Sequence, residues 1–183
     1  MPTPSAMLPL GTLAPDFKLP DTVSGRTLSL TQVRGVKATV VMFTCNHCPY
    51  VKHVEREMVR LAVDYQPRGV GFVAISSNDV TRYPEDGPAE MAEVARQQGY
   101  TFPYLYDESQ DVARAYSAAC TPDFYVFDEQ LRCVYRGRLD DSTPGNGKPL
   151  SGADLRAALD AVLGKGVVSS DQFPSYGCSI KFR

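Results

Sequence analysis

The chain lacks tryptophan altogether and holds only two histidines, His47 and His53. Long hydrophobic runs are also missing. The longest apolar stretch, Ala38 to Phe43 with Thr39 inside it, falls far short of the roughly 20 residues that a membrane-spanning helix requires. Nor is there an excess of positive charge: 19 Lys and Arg stand against 21 Asp and Glu. No basic field exists to hold a phosphate backbone or an anionic lipid surface, so neither nucleic acid nor membrane is an expected partner. The glycines form no G-x-G-x-x-G or P-loop spacing, and no organic cofactor is expected. Five cysteines in 183 residues are too few for a small disulfide-stapled secreted scaffold. The first residues, MPTPSAMLPLGTLAP, carry no Lys or Arg before Lys18 and place prolines where a secretory peptide has its apolar helix. A cytoplasmic location is therefore expected.

What the sequence does hold is a pair of close cysteines, Cys45-Asn46-His47-Cys48. The segment before it, Val36 to Thr44, is β-branched and apolar, as expected of a central parallel strand covered on both faces. After it, Val51, Val54, Met58, Leu61, Ala62 and Tyr65 recur in steps of three and four, the stripe of an amphipathic helix, with Lys52, Arg56, Glu57 and Arg60 on the other faces. The C-x-x-C thus sits at a strand-to-helix corner. There, unpaired backbone N–H groups and the positive end of the helix dipole favour thiolate over thiol. A thiolate is the nucleophile of disulfide exchange, and a second thiol three residues away can close on the mixed disulfide and expel the product.

Spacing leaves open which cysteine attacks. With Pro49 at the first helical position, Cys48 is the cap; with Cys45 as cap, Pro49 comes one turn in and disturbs the bond back to the Cys45 carbonyl. Proline at position 49 also excludes a C-x-x-C-H haem attachment site. His47, between the two cysteines, is a candidate to tune their acidity or protonate a leaving thiol. His53 reads as a solvated helix position. A metal-binding module using Cys45 and Cys48 with His47, Cys120 or Cys178 is the competing reading, although structural zinc sites usually show two close pairs.

Elsewhere, residues 1 to 16 read as a proline-rich extended arm, followed by a hairpin of Asp16–Leu19 and Arg26–Leu30. Strands are expected at Val70–Ser76, Phe102–Tyr106, Phe124–Asp128 and Arg132–Arg136, with helices at Pro88–Gln98, Gln110–Ser117 and Ser151–Leu163. This order predicts an α/β domain with a mixed central sheet and helices on both faces. Residues 165–183 show no clear period, and Cys178 within them is a candidate resolving thiol on a mobile tail that acts as a lid. Cys120-Thr121-Pro122 stands at the entry to a strand, a natural place for a cis peptide bond, although on sequence alone the trans form is favoured. Cys133 is assigned to packing.

Strand, C-x-x-C, helix and a later Thr121-Pro122-strand resemble the thioredoxin fold. LAPDFKL with its hairpin resembles the redoxin branch that contains the alkyl hydroperoxide reductase and thiol-specific antioxidant proteins. FTCNHCPYVK, AISSNDVTRYPEDGPAEM, LYDESQDVARAY, CTPDFYVFD, YRGRLDDS and PSYGCSIKFR together resemble a thioredoxin-like subfamily of that branch. The resemblance implies a thioredoxin-like domain over residues 13–166 with a β-hairpin at its N-terminal side, an arm at 1–12 and a tail at 167–183. It implies a thiol-disulfide oxidoreductase in which Cys45 attacks and Cys48 resolves, and a cis Pro122 that faces the pair. Thr121 then offers its backbone to an extended substrate segment. The partners so implied are a protein or small-molecule disulfide and a thiol reductant. A thiol peroxidase is the alternative, with a sulfenic acid resolved by Cys48, Cys120 or Cys178. The sequence departs from thioredoxins in having Thr44 where they have tryptophan and Asn46-His47 where they have Gly-Pro. It departs from the peroxiredoxin Pro-x-x-x-Thr-x-x-Cys loop in that Thr44 lies four residues before Cys48 and Val41 stands three before Thr44.

Overall fold

Ala38–Phe43 is buried at every position, and its side chains alternate between two cores. A strand covered on both faces belongs at the centre of a sheet, and that is where the computed structural model, which describes residues 1–183, places it. In chain order the strands and helices are β1 (Thr3–Pro4), β2 (Lys18–Pro20), β3 (Thr27–Ser29), α1 (Leu30–Val33), β4 (Ala38–Phe43), α2 (Pro49–Tyr65), β5 (Val70–Ser76), α3 (Pro88–Gln98), β6 (Tyr104–Tyr106), α4 (Asp111–Ala115), β7 (Cys120–Thr121), β8 (Asp123–Phe127), β9 (Cys133–Gly137), α5 (Ala153–Leu163) and β10 (Tyr176–Ser179). The main sheet runs β6-β5-β4-β8-β9, with β4, β5 and β6 parallel and β8 and β9 antiparallel to their neighbours.

One core joins Ala38, Val40 and Met42 to Met58 and Leu61 of α2, Met91 of α3 and Leu155 and Leu159 of α5. The other joins Val41 and Phe43 to Leu30, Val112, Tyr116 and Ile180. Each large apolar side chain so buried contributes roughly 1.5–3 kcal/mol relative to exposure. The β2–β3 hairpin forms as expected and is tied to the sheet edge by an Asp21↔Leu105 bridge.

Three features depart from the sequence reading. Glu57 is not on a solvated face: it is buried on α2 and accepts from Arg156 of α5 at 2.7 and 3.0 Å, because a cross-helix guanidinium satisfies a carboxylate that burial would otherwise penalise. His53 is half-buried, with Nε2 2.7 Å from Ser142 Oγ in the 139–150 loop. The tail is a strand, not a loose lid: β10 pairs antiparallel with both β1 and β7 in a small sheet β1-β10-β7. No helix is long and apolar enough to cross a membrane.

Candidate active site

β4 delivers the chain to the C-x-x-C, and one further bond, Thr44 N–H to Ile75 O at 2.9 Å, carries the pairing with β5 to the edge of the loop. Pro49 occupies the first turn of α2, where its missing N–H costs nothing and its fixed φ suits the helix. Cys48 is consequently the N-cap; its carbonyl accepts from Lys52 N–H at 3.0 Å, the first bond of the helix.

Donors converge on the Cys48 sulfur. The Cys45 thiol has the largest effect, and the Cys178 thiol and the Val51 N–H of the first helical turn add to it; together they overcome burial and lower Cys48 to about 5. Cys45 is held far above the ordinary thiol range, first by giving its hydrogen to Cys48, then by burial and by the Asp86 carboxylate. It also lies 3.4 Å from Thr121 Oγ1. The directions of the two shifts make Cys48 the more acidic thiol of the pair, whereas the resemblance gives the attacking role to Cys45.

Pro122 follows a cis peptide bond at Thr121, as the resemblance implies. Thr121 is placed differently from expectation. Its backbone is not open to an incoming segment, because β10 occupies that edge in the register Cys178↔Thr121 and Ser179↔Cys120. Cys178 is half-buried, and its sulfur lies 2.8 Å from that of Cys48. Burial first, and its bond to Cys48 second, push its thiol up to about 12. Cys48 Sγ is also 3.4 Å from Thr121 O. Cys45 and Cys48 themselves are 1% and 0% exposed, sealed beneath this strand.

The other candidates sit apart from this contact. Cys120 is buried, with its sulfur 3.9 Å from Pro122 O and Ser175 O and its thiol raised by burial and by Asp123. Cys133 lies in the second core, and burial pushes it up to about 11. His47 is engaged by Asp86, with Nδ1 2.5 Å from Asp86 Oδ2, and its ring stacks on Tyr83.

Asp86 is the residue that sequence reasoning missed. It is fully buried and accepts from Asn46 N–H (2.7 Å), His47 N–H (3.2 Å), the His47 ring and Asn78 Nδ2 (2.8 Å). Asn46 is further pinned by Glu85 O and by the Tyr104 hydroxyl, both at 2.9 Å. One carboxylate thus fixes the backbone of the loop between the two cysteines. Its only sequence signal was a position in Pro84-Glu85-Asp86-Gly87-Pro88, which reads as an ordinary turn. Potential ligand atoms of Cys45, His47 and Asp86 lie within 4.8 Å of one another, but both Asp86 oxygens are already engaged by N–H donors. Of the metal set considered from sequence, Cys48, Cys120 and Cys178 are not part of this cluster.

A dithiol at the corner between a central strand and its following helix, faced by a cis-proline on a mixed sheet, defines a thioredoxin-like domain. Comparison with known proteins narrows this. The AhpC/TSA family pattern matches residues 10–136, well over half the chain. The chain belongs to the AhpC/TSA family. A relative named thiol-disulfide oxidoreductase ResA, from Geobacillus thermodenitrificans, is 32% identical over 130 residues, covering 69% of this chain and 68% of that protein. Among solved structures, an uncharacterized conserved protein from Geobacillus kaustophilus is 58% identical, with a TM-score of 0.99 over 100% of this chain and 97% of that one. A hypothetical protein from Sinorhizobium meliloti is 46% identical, with a TM-score of 0.96 over 99% of this chain and 98% of the other.

Proposed function

We propose that Cys45 and Cys48 are the pair through which this thiol-disulfide oxidoreductase works, with Cys48 as the attacking thiolate and Cys45 as the resolving thiol. The observation that carries this reading is the place of Cys48 at the N-cap of α2, with its sulfur 2.8 Å from that of Cys178 and its thiol lowered relative to Cys45. With β10 lifted from the edge of β7, Cys48 attacks one sulfur of a substrate disulfide, the other leaves as a thiolate, and Cys48 is left in a mixed disulfide. Cys45 then loses its proton and attacks Cys48 Sγ, which closes Cys45–Cys48 and releases the second substrate thiol. A thiol reductant returns the pair to its starting state. His47 and Thr121 serve as positioning residues: His47 through Asp86 and the loop, Thr121 through its hydroxyl beside Cys45. Pro122 shapes the backbone opposite the pair.

The substrate class remains a protein or small-molecule disulfide, and the reading expects the chain in the cytoplasm, where soluble thiol reductants keep such pairs reduced. The test is disulfide reduction by Cys45→Ser and Cys48→Ser in a thiol-coupled assay. Cys48→Ser is expected to abolish exchange, while Cys45→Ser keeps the first, mixed-disulfide step. Exchange retained by Cys48→Ser but lost in Cys45→Ser would restore the opposite roles.

A further inference from the structure

Two facts about β10 bear on how electrons enter and leave this centre. The first is contact: Cys178 Sγ lies 2.8 Å from Cys48 Sγ, inside the separation of two non-bonded sulfurs and open to bond formation with little movement. The second is exposure. Cys45 and Cys48 are sealed, whereas Cys178 is half-buried and is the one thiol of the three with a substantial opening to solvent.

The strand is built to hold that sulfur in place. Gly177 lies so close to Thr121 that an added Cβ would stand 1.8 Å from the Thr121 carbonyl oxygen, so only glycine allows β10 this approach. On one side of Cys178, Ser175 accepts from the Ser5 backbone N–H through its carbonyl (2.9 Å) and donates its hydroxyl to Pro122 O (2.5 Å). On the other, Ile180 N–H donates to Ala119 O (3.0 Å) and Lys181 N–H to Asn78 Oδ1 (2.8 Å). Asn78 uses its other end to donate to Asp86. One amide therefore ties the segment carrying Cys178 to the carboxylate that fixes the Cys45–Cys48 loop.

Resting on the exchange reading above, we propose that Cys178 is the third sulfur of the redox centre and its connection to external thiols, β10 acting as a built-in substrate strand. After Cys45–Cys48 closes, Cys178 gives up its proton and attacks Cys48 Sγ. The Cys45–Cys48 bond breaks, Cys45 takes the proton as a thiol, and a Cys48–Cys178 disulfide replaces the first with no net oxidation. An external thiol then attacks the more exposed Cys178 Sγ. Cys48 leaves as the most acidic thiol of the three, the leaving group that favours cleavage. A second external thiol attacks the mixed disulfide on Cys178. Two reductant thiols become one disulfide, and the two electrons end on Cys48 and Cys178.

The test uses the full chain equilibrated in a reduced and oxidised glutathione buffer, acid-quenched, alkylated and mapped by peptide mass. In the wild-type protein the Cys48 peptide is expected both closed on itself and cross-linked to the Cys178 peptide. Cys45→Ser is expected to give the Cys48–Cys178 cross-link and no glutathione on Cys48, and Cys45→Ser/Cys178→Ser one glutathione on Cys48. Glutathione on Cys48 in both variants, with Cys178 a free thiol throughout, would overturn the inference and leave the exchange reading standing. Neither cross-link nor glutathione in any of the three proteins would remove both. The wild-type cross-link keeps the test decisive even if a serine variant folds poorly.

Discussion

Cys48 is the more acidic thiol of the pair, lowered first by the Cys45 thiol and further by Cys178 and the Val51 N–H against the cost of burial. The expected consequence is a thiolate absorbance that titrates with a midpoint near 5 in the native protein. Cys48→Ser should remove that transition and Cys45→Ser should raise its midpoint, since the strongest donor is gone; a spectrophotometric pH titration of the three proteins checks it. The sign for stability follows. The pKa is lower in the folded than in the unfolded chain, so this thiolate stabilises the fold between about pH 5 and pH 9 and the contribution is lost as pH falls through about 5, while above pH 9 the raised Cys45 and Cys178 thiols oppose it. The strand-to-helix corner that carries Cys45 and Cys48 was legible because strand, corner and helix stripe are local patterns, while the cis peptide before Pro122 came from the resemblance. Asp86 was not legible. It reaches the loop from about 40 positions away, and nothing in a Pro-Glu-Asp-Gly turn distinguishes a buried carboxylate with four donors from a solvated one. His47 was picked out by its place between the cysteines, but its partner Asp86, nearly forty positions on, left no local signal.

At the level of elements, β5 and α3 were read to their observed ends and α2 to within two residues, because their apolar period or their Pro and Gly boundary signals are unambiguous. β1, β7 and β10 escaped notice because strands of two to four residues carry no period. Their existence depends on pairing between distant segments. The pairing is also where a small change has a defined effect. Gly177→Ala sets a methyl against the Thr121 carbonyl, and overpacking of this kind costs about 1–3 kcal/mol. The cost falls on the docking of β10, not on the two cores. Alkylation of Cys48 in the native protein is expected to quicken roughly tenfold or more as the strand lifts. An unchanged labelling rate, followed by mass spectrometry, would show that β10 does not guard the sulfur.

The whole molecule feels the arm and the tail through Asp123. This carboxyl is buried at the start of β8 beneath the arm, and burial raises it to about 7 although Ser5 Oγ (2.7 Å), Tyr125 OH (3.1 Å) and Phe124 N–H (3.1 Å) all donate to it. In the unfolded chain it ionises near 3.8. A pKa raised by folding makes the folded state bind more protons, so stability is full below about pH 4 and declines until about pH 7, by on the order of 4 kcal/mol. Denaturant titrations across that range should show the decline in the wild-type protein and a flatter profile in Asp123→Asn; equal slopes would exclude this carboxyl as the cause. The arm itself contributes β1, where Thr3 pairs with Gly177 across nearly the full length of the sequence. Such pairing bears the highest loop-closure entropy and is gained late in folding, after nearer contacts have been made. Cys45 and Cys48 can meet as soon as β4 and the first turn of α2 exist, while Cys178 must wait for the chain's two distant segments to find each other. Topology thus sets an expected order of assembly for the sulfurs of the centre, and a refolding chain trapped by alkylation at successive times is expected to show the Cys45–Cys48 pair before Cys178 joins it.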